Sequence, residues 1–315
     1  MRAVVVERYG PPAVARVAEV ADPVARPGEV VVRVASAAVT SGDARMRSGR
    51  FPRGFALPAR LAIGLRGPRR RVLGMALSGT VEAVGEGVTA LAVGDEVAGL
   101  VSGRPGAHGE LVAARADRLV PKPAGVSHDA AAAVLFGGCT AMHFLLDVAH
   151  LRAGQSVLVV GASGAVGSSA VQVARLTGAR VTGVTSGRNA ELVRRLGAEA
   201  VIDYTTTPVD RIAERFDVVV DTVGALSTAA GRALLADGGS LLLVLATLGQ
   251  TITARGQVTA GVATAKPEHA SRLLGLVASG ELDPVVQASL PMVEIARAYE
   301  IADSGRKVGN VVIRP

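Results

Sequence analysis

A single cysteine, Cys139, in 315 residues excludes an internal disulfide and any zinc cluster built mainly on thiolates. Aromatic side chains make up only 3%, which leaves almost nothing on which nucleic-acid bases could stack. Charged residues, at 19%, are too sparse and hydrophobic residues, at 49%, too abundant for a disordered chain or a coiled coil. Lysine is nearly missing: apart from Lys122, Lys266 and Lys307, all 34 basic residues are arginine, so the net charge of +7 reads as a compositional bias more than as a nucleic-acid footprint. The opening MRAVVVERYG lacks the apolar stretch of a secretory signal. The longest uncharged run, Ala130 to Leu146, contains Gly137, Gly138 and His143 and falls short of the roughly 20 residues of a membrane span. These absences predict a protein of the reducing cytoplasm with neither membrane nor nucleic acid as partner.

What is present has two textures. Up to about residue 123 the chain reads as short β segments separated by turn residues: Ala3 to Glu7, Glu29 to Ala35 after the Pro27-Gly28 turn, Gly79 to Val84, Val97 to Leu100 and Glu110 to Ala113. Such spacing predicts a small, curved β-domain. Within it, residues 45 to 71 hold nine arginines among glycines and prolines, either as a solvated loop or as a flap that attracts an anionic ligand. Beyond Pro123, Val157 to Val160 has the unbroken apolar character of a strand buried on both faces. Helix and strand then alternate: Ser168 to Thr177, Arg180 to Thr185, Ala190 to Leu196, Ala200 to Asp203, Phe216 to Asp221 and Ser240 to Ala246. Repeated βαβ units imply a doubly wound parallel sheet. From about Lys266 there follow a helix over 268–279, a strand near Val285, a helix over 293–304 and a last strand over 309–313.

The strongest chemical signal is Gly161-Ala-Ser-Gly-Ala-Val-Gly167, between a buried strand and a helix. A dinucleotide pyrophosphate needs backbone N–H groups close by and a helix N-terminus aimed at it, hence small residues at this turn. About 20 residues on, where an acid would hold the ribose 2′-hydroxyl of NAD, the chain reads Thr185-Ser186-Gly187-Arg188-Asn189. Ser186 and Arg188 suit a 2′-phosphate, so NADP(H) is the expected cofactor.

The segments Gly74 to Val97 and Gly154 to Tyr204, together with Gly280-Glu-Leu-Asp-Pro284 and Gly309-Asn-Val-Val-Ile313, resemble the zinc-independent quinone oxidoreductase branch of the medium-chain dehydrogenase/reductase superfamily over essentially the whole chain. The resemblance implies an α/β protein in which a Rossmann domain, residues 124–265, is inserted into a GroES-like β-barrel domain, residues 1–123 with a C-terminal return over 266–315. Substrate would bind between the two. It also implies cofactor contacts from Thr140, Gly161, Ser163, Gly164, Ala165, Val166, Ser186, Arg188, Tyr204, Val223, Gly224, Leu245 and Ala246.

Zinc-dependent relatives carry ligands where this chain has Thr40, Met75 and Phe136, so no metal is expected. Other substrate-side positions depart from the family as well: Thr40 replaces an asparagine, Arg45 and Phe51 replace tyrosines, Ala76 replaces an aspartate and Leu111 a tyrosine. Candidate groups for stabilising a developing oxyanion are Thr40, Ser41 and Arg45, with His108 for proton delivery. The expected reaction is hydride transfer from NADPH to a quinone, enone or related small molecule. The altered substrate side leaves open a non-redox enzyme, such as a cyclase or lyase, or a cofactor-binding module. An apolar, β-prone stretch over 251–262 beside Ser240 to Ala246 suggests pairing of sheet edges in a homodimer.

Overall fold

The computed structural model describes residues 1–101 and 103–315. In chain order the first strands are β1 (Arg2–Val6), β2 (Ala15–Glu19), β3 (Glu29–Ala38), β4 (Ala76–Val84), β5 (Glu96–Leu100), β6 (Leu111–Arg115) and β7 (Leu119–Pro121). Next come β8 (Ser156–Val160), β9 (Arg180–Thr185), β10 (Ala200–Asp203), β11 (Phe216–Asp221), β12 (Leu235–Leu243), β13 (Val258–Ala260), β14 (Val286–Pro291) and β15 (Asn310–Arg314). The helices are α1 (Ser41–Ser48), α2 (Ala56–Ile63), α3 (His128–Met142), α4 (Ala165–Leu176), α5 (Ala190–Arg195), α6 (Thr228–Ala233), α7 (Leu248–Thr253), α8 (Pro267–Ala278) and α9 (Ile295–Asp303). Contacts gather these elements into two units, one of residues 1–51, 56–136 and 265–315, the other of 52–55 and 137–264. The division falls inside α3, after Phe136, whereas the composition changes after Pro123.

The first unit is the GroES-like β-domain. Its larger sheet runs in the order β14-β15-β3-β4-β5-β7, with β6 pairing β3 as well, and β1 pairs β2 separately. Apart from the parallel β14–β15 pair, its ladders are antiparallel. Register shifts in β3 between Val31 and Val32 and between Val34 and Ser36 bend that strand, which is buried at nearly every position. Val4, Val30, Val32, Leu77, Val97 and Ile313 meet in the core. Helix α9 adds Ile295, Ala298 and Tyr299, whose i, i+3, i+4 spacing puts all three on one face.

The second unit is the Rossmann sheet, all parallel, in the order β10-β9-β8-β11-β12-β13. Numbered from β8 this is 3-2-1-4-5-6, and the chain reverses direction across the sheet between β8 and β11. Val157 to Val160 are buried throughout, as their unbroken apolar run predicts.

Two expectations from composition need correcting. The stretch 251–262 does not form an extended edge strand: Thr247 caps α7 in a reciprocal box with Gln250, helix continues to Thr253, and β13 is only three residues long. The apolar run at 130–146 lies inside a continuous helical segment, His128 to Val148, which at 21 residues is long and apolar enough to cross a membrane. Length therefore does not separate it from a membrane span; it is mostly buried inside the protein, as a core helix is.

Candidate cofactor and substrate sites

In the Rossmann unit the backbone of the glycine-rich turn is set by close approaches. Gly161 has φ +82°, and a Cβ there would run into the Thr222 and Val223 side chains; a Cβ at Gly167 would collide with the Gly161 carbonyl. Only glycine lets β8, the turn and α4 pack this closely. Gly161 and Ala162 N–H groups donate to the Val184 carbonyl, which anchors the turn to β9. Helix α4 starts at Ala165 behind Gly164, which offers no side-chain cap, so the first-turn N–H groups are not occupied by a capping side chain.

Ser163 joins the turn to the loop after β9. Its Oγ accepts from the Thr185 hydroxyl at 2.8 Å and from Asn189 Nδ2 at 3.1 Å. Both lone pairs are thus used and the hydroxyl hydrogen is left to donate to an acceptor at the turn. Ser186 is buried at the head of the single turn Gly187–Asn189, where Arg188 is exposed and has no carboxylate partner among the described residues. Tyr204, half exposed, donates its backbone N–H to the Thr185 carbonyl, so β10 ends beside the same loop.

At the neighbouring strand ends the organising residue is one that motif reading missed. Asp221 is fully buried, and its carboxylate accepts the N–H groups of Val223, Gly224 and Leu226 at 2.7 to 3.0 Å. This holds Gly224 at φ +73° against the Leu245 carbonyl, where a Cβ would sit at 2.9 Å. Gly161, Val223, Gly224 and Leu245 therefore gather at the C-terminal edge of the parallel sheet, where open α/β sheets bind ligands. Ala246 is buried behind them. Thr140 is buried on α3, and the same helix approaches the first residue of α4 so closely that a Cβ at Gly137 would meet the Ala165 carbonyl. Cys139 beside it is buried, which pushes its thiol up to about 12 and makes it inert.

Asp203 is the second residue missed. Its Oδ1 accepts from the Thr205 N–H and hydroxyl at 2.9 and 2.7 Å, which holds the carboxyl below its ordinary range, with the Gly187 N–H adding to the shift. An acid thus stands one residue from Arg188, brought there by β10 and invisible in the segment 185–189.

The β-domain treats its polar residues differently. Thr40 caps α1: its Oγ1 accepts the Asp43 N–H at 3.1 Å and donates to Asp43 Oδ2 at 2.6 Å, while Asp43 Oδ1 accepts the Gly74 N–H. His108 is completely buried, with Nε2 3.0 Å from the Ala38 carbonyl and Nδ1 3.5 Å from the Tyr299 hydroxyl. A Cβ on Gly74, at φ +95°, would strike its ring. Arg47, also buried, spans the Gly10 carbonyl and Asp303 and lies over the Tyr299 ring at 5.1 Å. Burial pushes the Tyr299 phenol well above its ordinary range. By contrast Ser41 and Arg45, half-buried on α1, have no side-chain hydrogen bond or ion pair among the described residues. Burial lowers the pKa of Arg45.

The three positions of the expected metal ligands do come together, around Gly42. A Cβ placed there would lie 2.7 Å from Met75 Cε, 3.3 Å from Thr40 Oγ1 and 3.7 Å from Phe136 Cζ. A thioether, a phenyl ring and a hydroxyl committed to Asp43 share the spot.

Two family models match: the alcohol dehydrogenase GroES-like domain over residues 26–124 and zinc-binding dehydrogenase over 196–313. A quinone oxidoreductase of Pseudomonas aeruginosa is 33% identical, with 92% of this chain and 93% of that protein aligned. The chain belongs to the quinone oxidoreductase-like proteins of the medium-chain dehydrogenase/reductase superfamily. An acryloyl-coenzyme A reductase of Metallosphaera sedula is 31% identical over 94% of this chain and 95% of its own length. Among solved structures, the quinone oxidoreductase from Coxiella burnetii superposes with a TM-score of 0.89 at 26% identity, covering 100% of this chain and 99% of that one. A mycobacterial protein solved with NADPH gives 0.82 at 29% identity, with both chains fully covered. The chain is accordingly an oxidoreductase with a nicotinamide cofactor and a small-molecule substrate.

Proposed function

We propose that the chain is an NADPH-dependent reductase that delivers hydride to the β-carbon of a quinone or enone without zinc. The observation that carries this reading is the convergence of Thr40, Met75 and Phe136 on Gly42, a donor set that cannot hold zinc, in a chain whose Rossmann unit keeps an intact dinucleotide turn. The bound nicotinamide supplies the hydride. Everything else falls to side chains and backbone of the chain. The N–H groups of α4 at Ala165 and Val166, with Ser163 and Gly164, take the pyrophosphate; Ser186 and Arg188 take the 2′-phosphate and Tyr204 lines the adenosine ribose. Val223 and Gly224 would lie along the nicotinamide ribose, and Leu245, Ala246 and Thr140 would hold the ring.

On the substrate side Ser41 and Arg45 are the two candidates with a donor to spare. As hydride reaches the β-carbon, the electron pair of the double bond moves to the carbonyl oxygen, and a donor there stabilises the charge before solvent supplies the proton. Thr40 has given its hydrogen to Asp43, and His108 is sealed in the core, so neither takes this role. The exposed Ile252 and Val262 beside the short edge strand β13 support a homodimer paired there, and a lone inert cysteine suits the cytoplasm.

Oxidation of NADPH by a panel of quinones and enones, with and without a chelator, tests the reading. Turnover unaffected by chelation is expected. Chelator-sensitive turnover overturns the zinc-free assignment; tight cofactor binding with no turnover across the panel favours a non-redox role.

A further inference from the structure

Residues 45–71 carry nine of the 34 basic residues and none of the 27 acidic ones, so the rest of the chain has a net charge of −2. The positive charge of this protein is therefore concentrated in one segment, which a uniform preference for arginine does not explain. Seven of the nine, Arg50, Arg53, Arg60, Arg66, Arg69, Arg70 and Arg71, are exposed. Of these seven, only Arg71 faces a carboxylate among the described residues, Glu7 at 3.5 Å, and Arg60 lies over the Tyr9 ring. Helix α2 in the middle of the segment buries none of its residues. Leu57 and Leu61, one turn apart, are 68% and 56% exposed, and Leu65 just past the helix end is 63% exposed.

We propose that this segment docks the protein on an anionic lipid bilayer, the guanidinium groups on lipid phosphates and the leucines in the acyl boundary. Charge complementarity selects the occupant. A second copy of the same face would bring like charges together in a symmetric contact. Nucleic acid would leave the leucines without a partner, while arginine forks match phosphate geometry and an apolar face beside them matches the interface of a bilayer. The proposal rests on the quinone reading in one respect: a lipid-soluble quinone would be taken up where it is dissolved.

The test is flotation of the full chain with vesicles of phosphatidylcholine, alone or with 30 mole percent phosphatidylglycerol (about one lipid in three anionic, enough to attract a basic face). Binding is expected only to the anionic vesicles and should weaken with salt. The triple variant Arg66→Gln, Arg69→Gln, Arg70→Gln should lose about 100-fold in partition, from about a fivefold loss per arginine. The variant Leu57→Ser, Leu61→Ser should lose about tenfold. A control of equal charge change, Arg194→Gln, Arg195→Gln, Arg211→Gln, should bind nearly as well as wild type. The proposal is overturned if anionic vesicles are not bound, if the control loses as much as the triple variant, if the leucine pair has no effect, or if soluble polyphosphate displaces the vesicles at equal phosphate. Turnover with a short-chain, water-soluble quinone should be unchanged in the Arg66/Arg69/Arg70 variant and should fall with a long-tailed quinone held in vesicles. Vesicle binding without any quinone turnover would sink the quinone reading and leave the docking surface standing.

Discussion

The two units of this protein use buried polar groups in opposite ways. In the Rossmann unit the buried carboxylate, Asp221, spends itself on three backbone N–H groups and so shapes a turn, while Ser163 and the start of α4 keep donors in hand. In the β-domain Thr40, Asp43, His108, Arg47 and Tyr299 bond one another or nearby carbonyls, Arg47 Nε alone of this network being left without a partner, and of the substrate-side candidates only Ser41 and Arg45 keep donors. A polar residue signals ligand chemistry only when its hydrogen-bonding capacity exceeds what its own fold consumes.

The largest effect expected from this contrast is on stability. Arg47 is buried between the Gly10 carbonyl and Asp303, so Arg47→Met leaves a partly buried carboxylate unpaired and should cost about 3 kcal/mol. Denaturant unfolding should show this loss while NADPH titration of the folded variant stays near wild type. A variant that keeps its stability but loses cofactor affinity would mean that the network serves the ligand instead.

Arg188 should behave in the reverse manner. It is exposed and without a carboxylate partner among the described residues, so Arg188→Ala should leave unfolding unchanged and raise the NADPH dissociation constant about 10- to 100-fold. NADH, which lacks the phosphate, should be little affected. Equal loss for both cofactors in isothermal titration would show that the residue only supports its turn.

In the β-domain the amine of Lys307 is tucked against the Gly309 carbonyl, and burial lowers its pKa to about 8 from the usual 10.5. Between those values the unfolded chain still holds a proton that the folded chain has released, so this group makes stability rise with pH across that window. Below about pH 8 the amine is charged in both states and the cost of burying it is fully present. Lys307→Met should therefore stabilise the protein at pH 7 by about 2 kcal/mol, with the gain fading as pH approaches 10.5. Calorimetric melting at pH 7 and 9.5 checks this; an equal gain at both values would mean that charge burial is not the cause.

Much of this architecture was legible in the sequence because it is periodic or obligatory. The bounds of β9, β10 and β11 follow from their apolar runs, and Gly161 and Gly167 are fixed by backbone approaches no other residue allows. Helices α1 and α2 were not legible within the arginine-rich segment: α1 is set by the Thr40–Asp43 capping box, and α2 has no buried face to impose a pattern. The role of Thr40 was signalled locally by Thr40-Ser-Gly-Asp43, whose spacing is that of a capping box, whereas His108 depended on a partner 70 residues away in sequence, Ala38, whose proximity to a ring nitrogen no local pattern encodes. Asp203 was missed for the same reason, because only strand pairing of β10 with β9 carries it to Gly187.

Asp203 also supplies the smallest and most discriminating prediction. Its carboxylate is kept ionised by Thr205 and by the Gly187 N–H, one residue from the arginine proposed to hold the 2′-phosphate. A fixed negative charge there opposes a phosphate and takes up an N–H that a phosphate would otherwise use. Asn at this position keeps an oxygen for Thr205 and removes the charge. Screened by water and salt, that charge has only a small effect, so Asp203→Asn should tighten NADPH a few-fold and leave NADH nearly unchanged. Titration of both cofactors decides among three results. Tighter NADPH means that Ser186 and Arg188 set the preference and Asp203 moderates it. Weaker NADH with NADPH unchanged would mean that the carboxylate itself holds a ribose hydroxyl, and the reading of a phosphate-selecting loop would give way to one that accepts both cofactors. No change in either would return Asp203 to the purely internal kind of polar residue that fills the β-domain.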